Sequence, residues 1–151
     1  MIRLELETQI HADPALCFDL SRDLDLHARS FGHTGERAVA GTTSGLIGPG
    51  QEVTWEGRHF GLRLRHSAKI TAFDPPRHFR DEMVRGHFKS FLHDHYFVPA
   101  AGGTSMLDVL EFESPAGFLG RIVDFLVLRG YLRRLLQTRN AFIKSVAESG
   151  G

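Results

Sequence analysis

Apolar and polar side chains alternate from the start of the chain. Ile2, Leu4, Leu6, Thr8 and Ile10 fall on one side of an extended run, with Arg3, Glu5, Glu7 and Gln9 on the other. That period of two marks a half-buried strand. Residues 36–43, 51–59, 62–73, 79–85, 88–98 and 104–113 read as six further strands, separated by glycine- or proline-bearing breaks. In the run 62–73, Leu62, Leu64, His66, Ala68, Ile70 and Ala72 share a face opposite Arg63, Arg65, Ser67 and Lys69. After the first strand, Asp13 and Pro14 open a short helix as N-cap and first helical residue, with Leu16, Cys17 and Leu20 inward. A second short helix is expected over 23–28, ending before Gly32. The glycine-rich stretch 45–50 reads as a flexible loop exposing Leu46 and Ile47.

Beyond Glu113 the period lengthens. Phe118, Ile122, Phe125, Leu126, Leu132, Leu135, Leu136, Phe142, Ile143 and Val146 recur at steps near three and four, predicting one apolar helical face over 115–147. Ser114 is the expected cap and Pro115 suits the first turn. Such a helix would span roughly 45 Å. Gly117, Gly120 and Gly130 interrupt it, so 115–128 is expected to be irregular or kinked and 130–147 secure. The loose start, facing the 45–50 loop, is the expected entrance to the interior. The order is β-α-α-β6-α, an α+β chain of one domain over 1–151. Turns about every ten residues favour an antiparallel meander. A seven-stranded sheet buries its apolar face by curling around the long helix, and the mismatch between curled sheet and rod leaves an internal cavity.

Charge changes this picture only locally. Acidic and basic residues balance, 18 against 18, so bulk charge argues for no nucleic-acid partner. Within 116–147, however, Arg121, Arg129, Arg133, Arg134, Arg139 and Lys144 face only Asp124. A solvated outer face explains this, and so does contact with an anionic surface. The single cysteine, Cys17, excludes an internal disulfide and suits a reducing compartment. The first residues do not resemble a secretory leader, and 125–128 is too short an apolar run to span a bilayer. A soluble, cytoplasmic protein is expected.

The candidate chemistry lies on the later strands. His93 and His95 leave one face of their strand, flanked there by Phe91 and Phe97. Asp108 shares a face with Met106, Leu110 and Phe112, and Asp81 with Phe79, Met83 and Arg85. If these faces point inward, His93, His95 and Asp108, with Asp81 and Arg85, converge in the cavity. Phe91, Phe97, Phe112, Phe125 and Leu132 are the expected apolar lining. Three readings compete: mutual satisfaction of buried polar groups, a patch that orients a ligand's polar end, and acid–base catalysis by His93, His95 and Asp108. A metal would need more than the H-x-H spacing, and none is expected. Gly45, Gly48 and Gly50 lack the helix and lysine of a phosphate loop, and no cofactor motif is present.

The chain also resembles a known superfamily. Its element order is similar to that of the START-like (SRPBCC) helix-grip proteins, which include lipid-transfer START domains, birch-pollen-allergen-like proteins and bacterial polyketide cyclase/dehydrase-like proteins. Local text resembles a small bacterial ligand-binding subgroup: Ala68-Lys69-Ile70-Thr71-Ala72-Phe73-Asp74-Pro75-Pro76, the run Phe79 to Phe88, then Phe91-Leu92-His93-Asp94-His95-Tyr96-Phe97 and Gly102-Gly103-Thr104. The resemblance implies a carrier or sensor of a small hydrophobic molecule, such as a lipid, polyketide or isoprenoid-like compound. A cyclase or dehydratase is the alternative, because the superfamily hosts both.

Overall fold

The structure, a computed structural model, describes residues 1–150. Strand β1 (Ile2–Ile10) leads into helices α1 (Pro14–Ser21) and α2 (Leu24–Ser30) and a short 3-10 turn (Gly32–Thr34). Six strands follow: β2 (Arg37–Gly41), β3 (Glu52–His59), β4 (Leu62–Asp74), β5 (His78–Arg85), β6 (Ser90–Ala100) and β7 (Gly103–Glu113). The chain closes with α3 (Gly117–Val123), one π-helical turn (Asp124–Leu128) and α4 (Arg129–Glu148).

All strand pairs are antiparallel, in the order β1-β7-β6-β5-β4-β3-β2. Strands β2 to β7 form a meander because each is joined to the next by a local connection. Helices α1 and α2 carry the chain from one sheet edge, β1, to the other, β2. Asp13 caps α1 by accepting from the Leu16 N–H at 2.9 Å, and Asp23 caps α2 through the N–H groups of Asp25 and Leu26. Bulges interrupt β2 and β4 and bend the sheet. The bulge between Ile70 and Ala72 brings Phe73 opposite Phe79, where its ring packs edge-on to Phe18 at 5.4 Å. Strict alternation assigns that inward place to Ala72.

The concave side of the sheet holds α4, which lies against β1, α1 and α2. Its buried residues Leu136, Arg139, Asn140, Ile143 and Ala147 follow the three-four spacing of one face. The core forms two apolar clusters. One gathers α1 and α2 with Val53, Ile70, Phe79, Phe97, Met106 and Ile143. The other gathers Leu4, Leu110, Phe112 and Leu136.

The irregularity expected within 115–128 is the π turn Asp124–Leu128, and the regular helix runs on from Arg129. Two local expectations are corrected. Ser114 does not cap the long helix, which begins at Gly117 after Ala116 takes a left-handed conformation. The Ser114 N–H and hydroxyl instead donate to the Asp124 carboxylate. The 45–50 loop is pinned rather than flexible: Leu24 N–H donates to the Gly45 carbonyl at 2.9 Å, Ile47 N–H to the Arg22 carbonyl at 3.1 Å, and Ile47 is buried.

Candidate functional site

Between the sheet and α4 lies a cavity of about 270 Å³. Apolar side chains from nearly every layer form its walls, among them Val53, Trp55, Leu64, Ala68, Ile70, Phe79, Phe91, Leu110, Leu132 and Leu136. The alternation of β3 to β7 dictates this: every second residue faces the helix, and the helix answers with its own apolar stripe. Trp55 is the only tryptophan in the chain, so it reports on the cavity.

Among the polar lining residues, Asp81, His93, His95 and Arg139 form one connected group; Glu36, His59, His66 and Tyr131 line other parts of the cavity. In register, His95 lies opposite Asp108 and His93 opposite Asp81, yet the hydrogen bonds run on the diagonals. His93 Nε2 meets Asp108 Oδ1 at 2.8 Å, and His95 Nε2 meets Asp81 Oδ2 at 2.7 Å. The imidazoles stack at 3.8 Å, and Phe79 covers the His95 ring at 4.1 Å. Asp108 is fully buried behind this layer and receives Asn140 Nδ2 at 2.7 Å. Arg139 donates to the Ser21 carbonyl at 3.1 Å and to Asn140 Oδ1 at 2.9 Å, with its guanidinium 3.6 Å from Asp108.

These contacts set the protonation states. Burial works to raise both carboxyls, but the imidazole hydrogen bonds outweigh it. Asp81 is held at about 2 and Asp108 well below its ordinary value. For His95, burial is opposed and overcome by carboxylates on two sides, so its affinity for a proton is raised. Its Nδ1 lies 3.4 Å from Asp108 Oδ1 but makes no hydrogen bond among the described residues. That separation is an ion-pair distance with poor hydrogen-bond geometry. Burial and the neighbouring His95 lower His93, which stays neutral. His27 also lines the cavity and stacks near Trp55 at 4.4 Å; burial and the Arg139 charge push it down to about 3.

Asp81, His93, His95, Phe91 and Leu132 thus stand on the cavity wall, and Asp108 stands one layer behind them. The other expected residues lie elsewhere. Phe97 and Phe112 are buried in the core away from the cavity, because packing against α1 and β1 claims that end of each strand. Arg85 is exposed at the end of β5 and does not reach the interior. Phe125 is 61 % exposed on the π turn. Nor does the 45–50 loop face the start of the long helix. There, Tyr131 is hydrogen-bonded to His59 at 2.5 Å and packs on Phe60 at 4.6 Å, so the β3–β4 hairpin closes that end.

Charge counting alone places Arg139 on a solvated basic face. Its position, three after Leu136 and four before Ile143, sets it on the buried stripe and is legible in the helical period. Asn140, its neighbour, has no such reading. As donors, Asp81, His93 and His95 offer atoms within 4.8 Å of one another, the types a divalent transition metal takes. Their nearest nitrogens are already engaged with carboxylates.

No protein-family model matches the sequence, and no curated protein matches it. Solved structures do match in fold. The protein TTHA0849 of Thermus thermophilus superposes with a TM-score of 0.75 at 18 % identity, covering 97 % of this chain and 99 % of its own. Ara h 8.0201 gives 0.73 at 16 % identity over 99 % of both chains. The major latex-like protein 151 of Panax ginseng gives 0.71 at 16 % identity over 97 % of both. The fold is the helix grip. At such identities the likeness carries the curled seven-stranded sheet and its gripped helix alone. No helix among the described residues is long and apolar enough to cross a membrane.

Proposed function

We propose that this helix-grip protein binds a small hydrophobic molecule carrying one polar group, as a carrier or sensor of the small bacterial SRPBCC type. A lipid, polyketide or isoprenoid-like compound fits this description. One observation carries the reading: the cavity is mainly apolar along its walls, and Asp81, His93, His95 and Arg139 form one connected polar group on them, with Asp108 behind it. Apolar walls supply affinity through burial, and a few convergent polar groups fix orientation. The carboxylates of Asp81 and, behind it, Asp108 stand against the Arg139 guanidinium and the His95 imidazole, whose affinity for a proton they raise. A neutral hydroxyl or carbonyl therefore costs less to place there than a second ionised group. The unpartnered His95 Nδ1 is the kind of buried polar atom that a ligand's polar group satisfies.

Native mass spectrometry of the purified protein, followed by organic extraction, tests this directly. A bound small molecule is expected, and adding it back should shift the emission of Trp55. A protein that carries no ligand and leaves Trp55 emission unchanged across apolar hydroxyl and carbonyl compounds would sink the proposal.

A second reading rests on the His93–Asp108 pair. A neutral imidazole oriented by a buried carboxylate is a competent general base. In that case the molecule is a substrate of a cyclase- or dehydratase-type reaction. Conversion of the extracted compound by the wild type, abolished in His93→Gln with fold intact, would favour the enzyme over the carrier.

A further inference from the structure

The segment formed by α3 and the π turn is built inside out. Its inward stripe is Gly120, Asp124 and Leu128, and its outward surface is apolar. Phe118 and Leu119 are each 68 % exposed, Leu126 71 %, and Ile122, Val123, Phe125 and Val127 are exposed as well. Soluble proteins rarely leave so many apolar side chains contiguous without a partner for them. The orientation is held from within. Asp124 is buried and accepts from the Ser114 backbone and hydroxyl. Gly120 lies against the Pro115 carbonyl, where a Cβ would collide. Turning the apolar side inward would break the Ser114–Asp124 hydrogen bonds and the close Gly120 contact.

The charges around this face have one sign. Arg121 lies over the Phe118 ring at 5.9 Å and Arg129 over the Phe125 ring at 6.0 Å, and Arg134 is exposed one turn further on. The segment's only carboxylate, Asp124, is turned inward. Phenylalanine and leucine with arginine stems laid over them, and no acid, form an interfacial membrane-binding surface. A second copy of this chain is a poorer occupant. A twofold contact would bring Arg121 and Arg129 against their own copies with no acid on the face to pair them. We infer that this segment docks on an anionic lipid surface.

The face adjoins the cavity. Leu128, which ends the π turn, and Tyr131, in the first turn of α4, both line it. Across from them stand the exposed Phe60 and Leu62 of the β3–β4 hairpin. Docking there sets the closure made by Tyr131, His59 and Phe60 against the bilayer, so that parting this one contact would admit a lipid-soluble ligand without its crossing water. That consequence rests on the ligand-binding reading, whereas the docking itself does not.

Co-sedimentation of the full chain with phosphatidylcholine vesicles containing phosphatidylglycerol, against phosphatidylcholine alone, tests the docking. The anionic vesicles should retain the protein, and added salt should release it. Arg121→Gln with Arg129→Gln should weaken retention about fivefold per arginine. Phe118→Ser, Phe125→Ser and Leu126→Ser together should abolish it, and as exposed positions they leave the fold intact. Equal retention of the triple variant, or no retention of the wild type, overturns the proposal. So does a wild-type dimer that the triple variant converts to monomer in sedimentation velocity while neither binds vesicles. Phenylnaphthylamine titrated against Trp55 emission in vesicle-free buffer keeps the two ideas separate. Probe binding without vesicle binding fails the docking alone, and vesicle binding without probe binding fails the cavity reading alone.

Discussion

Strand β6 sends His93 and His95 to one side of the sheet and Asp94 to the other, so two polar sets of similar composition stand back to back. On the outer side Arg80 grips Asp94 through two hydrogen bonds at 2.8 and 3.1 Å, and His78 adds a third at 2.7 Å. His78 in turn stacks on Tyr96 at 4.6 Å. Every carboxylate oxygen there is engaged, and the Arg80 and His78 side chains are partly in water. On the inner side the pairs are as short, but His95 Nδ1 has no hydrogen-bond partner among the described residues, Arg139 stands 3.6 Å off Asp108, and the whole set borders a cavity. The same residue types therefore make a closed structural clasp outside and an incompletely satisfied patch inside. What separates a site from a brace here is unspent hydrogen-bonding capacity beside a space.

The largest expected contrast comes from removing the carboxylate at each centre. Asp108→Ala strips the partner from His93, Asn140 and the nearby Arg139, none of which can rehydrate, and should cost about 3–5 kcal/mol. Asp94→Ala releases Arg80 and His78 to solvent and should cost about 1–2 kcal/mol. Urea unfolding of the two variants measures both. Equal costs would mean that the inner set is no more desolvated than the outer one.

The alternation of β4 to β7 makes the inner set legible from sequence. His93, His95, Asp81 and Asp108 fall on core faces because period two admits no other choice in a half-buried strand. Side-chain reach is not legible. Phe97 and Phe112 share those faces but end in packed core, since which part of a face borders a cavity depends on what the helix places opposite. The inverted segment escapes for a different reason. Periodicity shows that apolar residues share a helical side, not which way that side turns; here Gly120 and Asp124 decide it. Arg139 shows the converse error, in which charge is allowed to overrule helical position.

Acid separates the two sets next. The folded-state value of His27, about 3, lies below its ordinary 6.5, so the stability it contributes is present above pH 6.5 and lost as pH falls toward 3. His93 is shifted in the same direction. His95, shifted up, acts oppositely: its contribution is present below pH 6.5 and lost as pH rises through its raised value. Asp94 is held low chiefly by Arg80 against the cost of burial, so the outer clasp loses stability only as pH falls below about 4. A decline on the order of 2 kcal/mol between about pH 6.5 and 4 is therefore assigned to the cavity side, mainly to His27. His27→Phe should flatten that limb in urea titrations at several pH values. An unchanged limb would move the cause away from the cavity.

Ligand affinity gives a smaller difference. His95→Gln keeps a donor toward Asp81 but removes the unpartnered ring Nδ1, and should weaken a bound hydroxyl or carbonyl compound by about 1–2 kcal/mol in Trp55 titrations. His78→Gln, on the outer clasp, should leave affinity unchanged. A comparable loss in both would show that β5 and β6 act through general sheet stability rather than through the inner patch.

The smallest expected effect concerns zinc. Asp81, His93 and His95 resemble a two-histidine, one-carboxylate donor set, and their atoms are close enough to converge. Each Nε2, however, already donates to a carboxylate, and His95 holds its proton between two of them. A metal would have to displace that proton beside the Arg139 guanidinium, whose charge opposes it. Zinc added at micromolar concentration should therefore leave the thermal midpoint unmoved, as it should at the outer His78 and Asp94. A rise in midpoint with zinc that vanishes in Asp81→Ala would reverse the argument. The unspent capacity of the inner set would then be coordination capacity, and the cavity's polar end would orient its ligand through a metal rather than through His95.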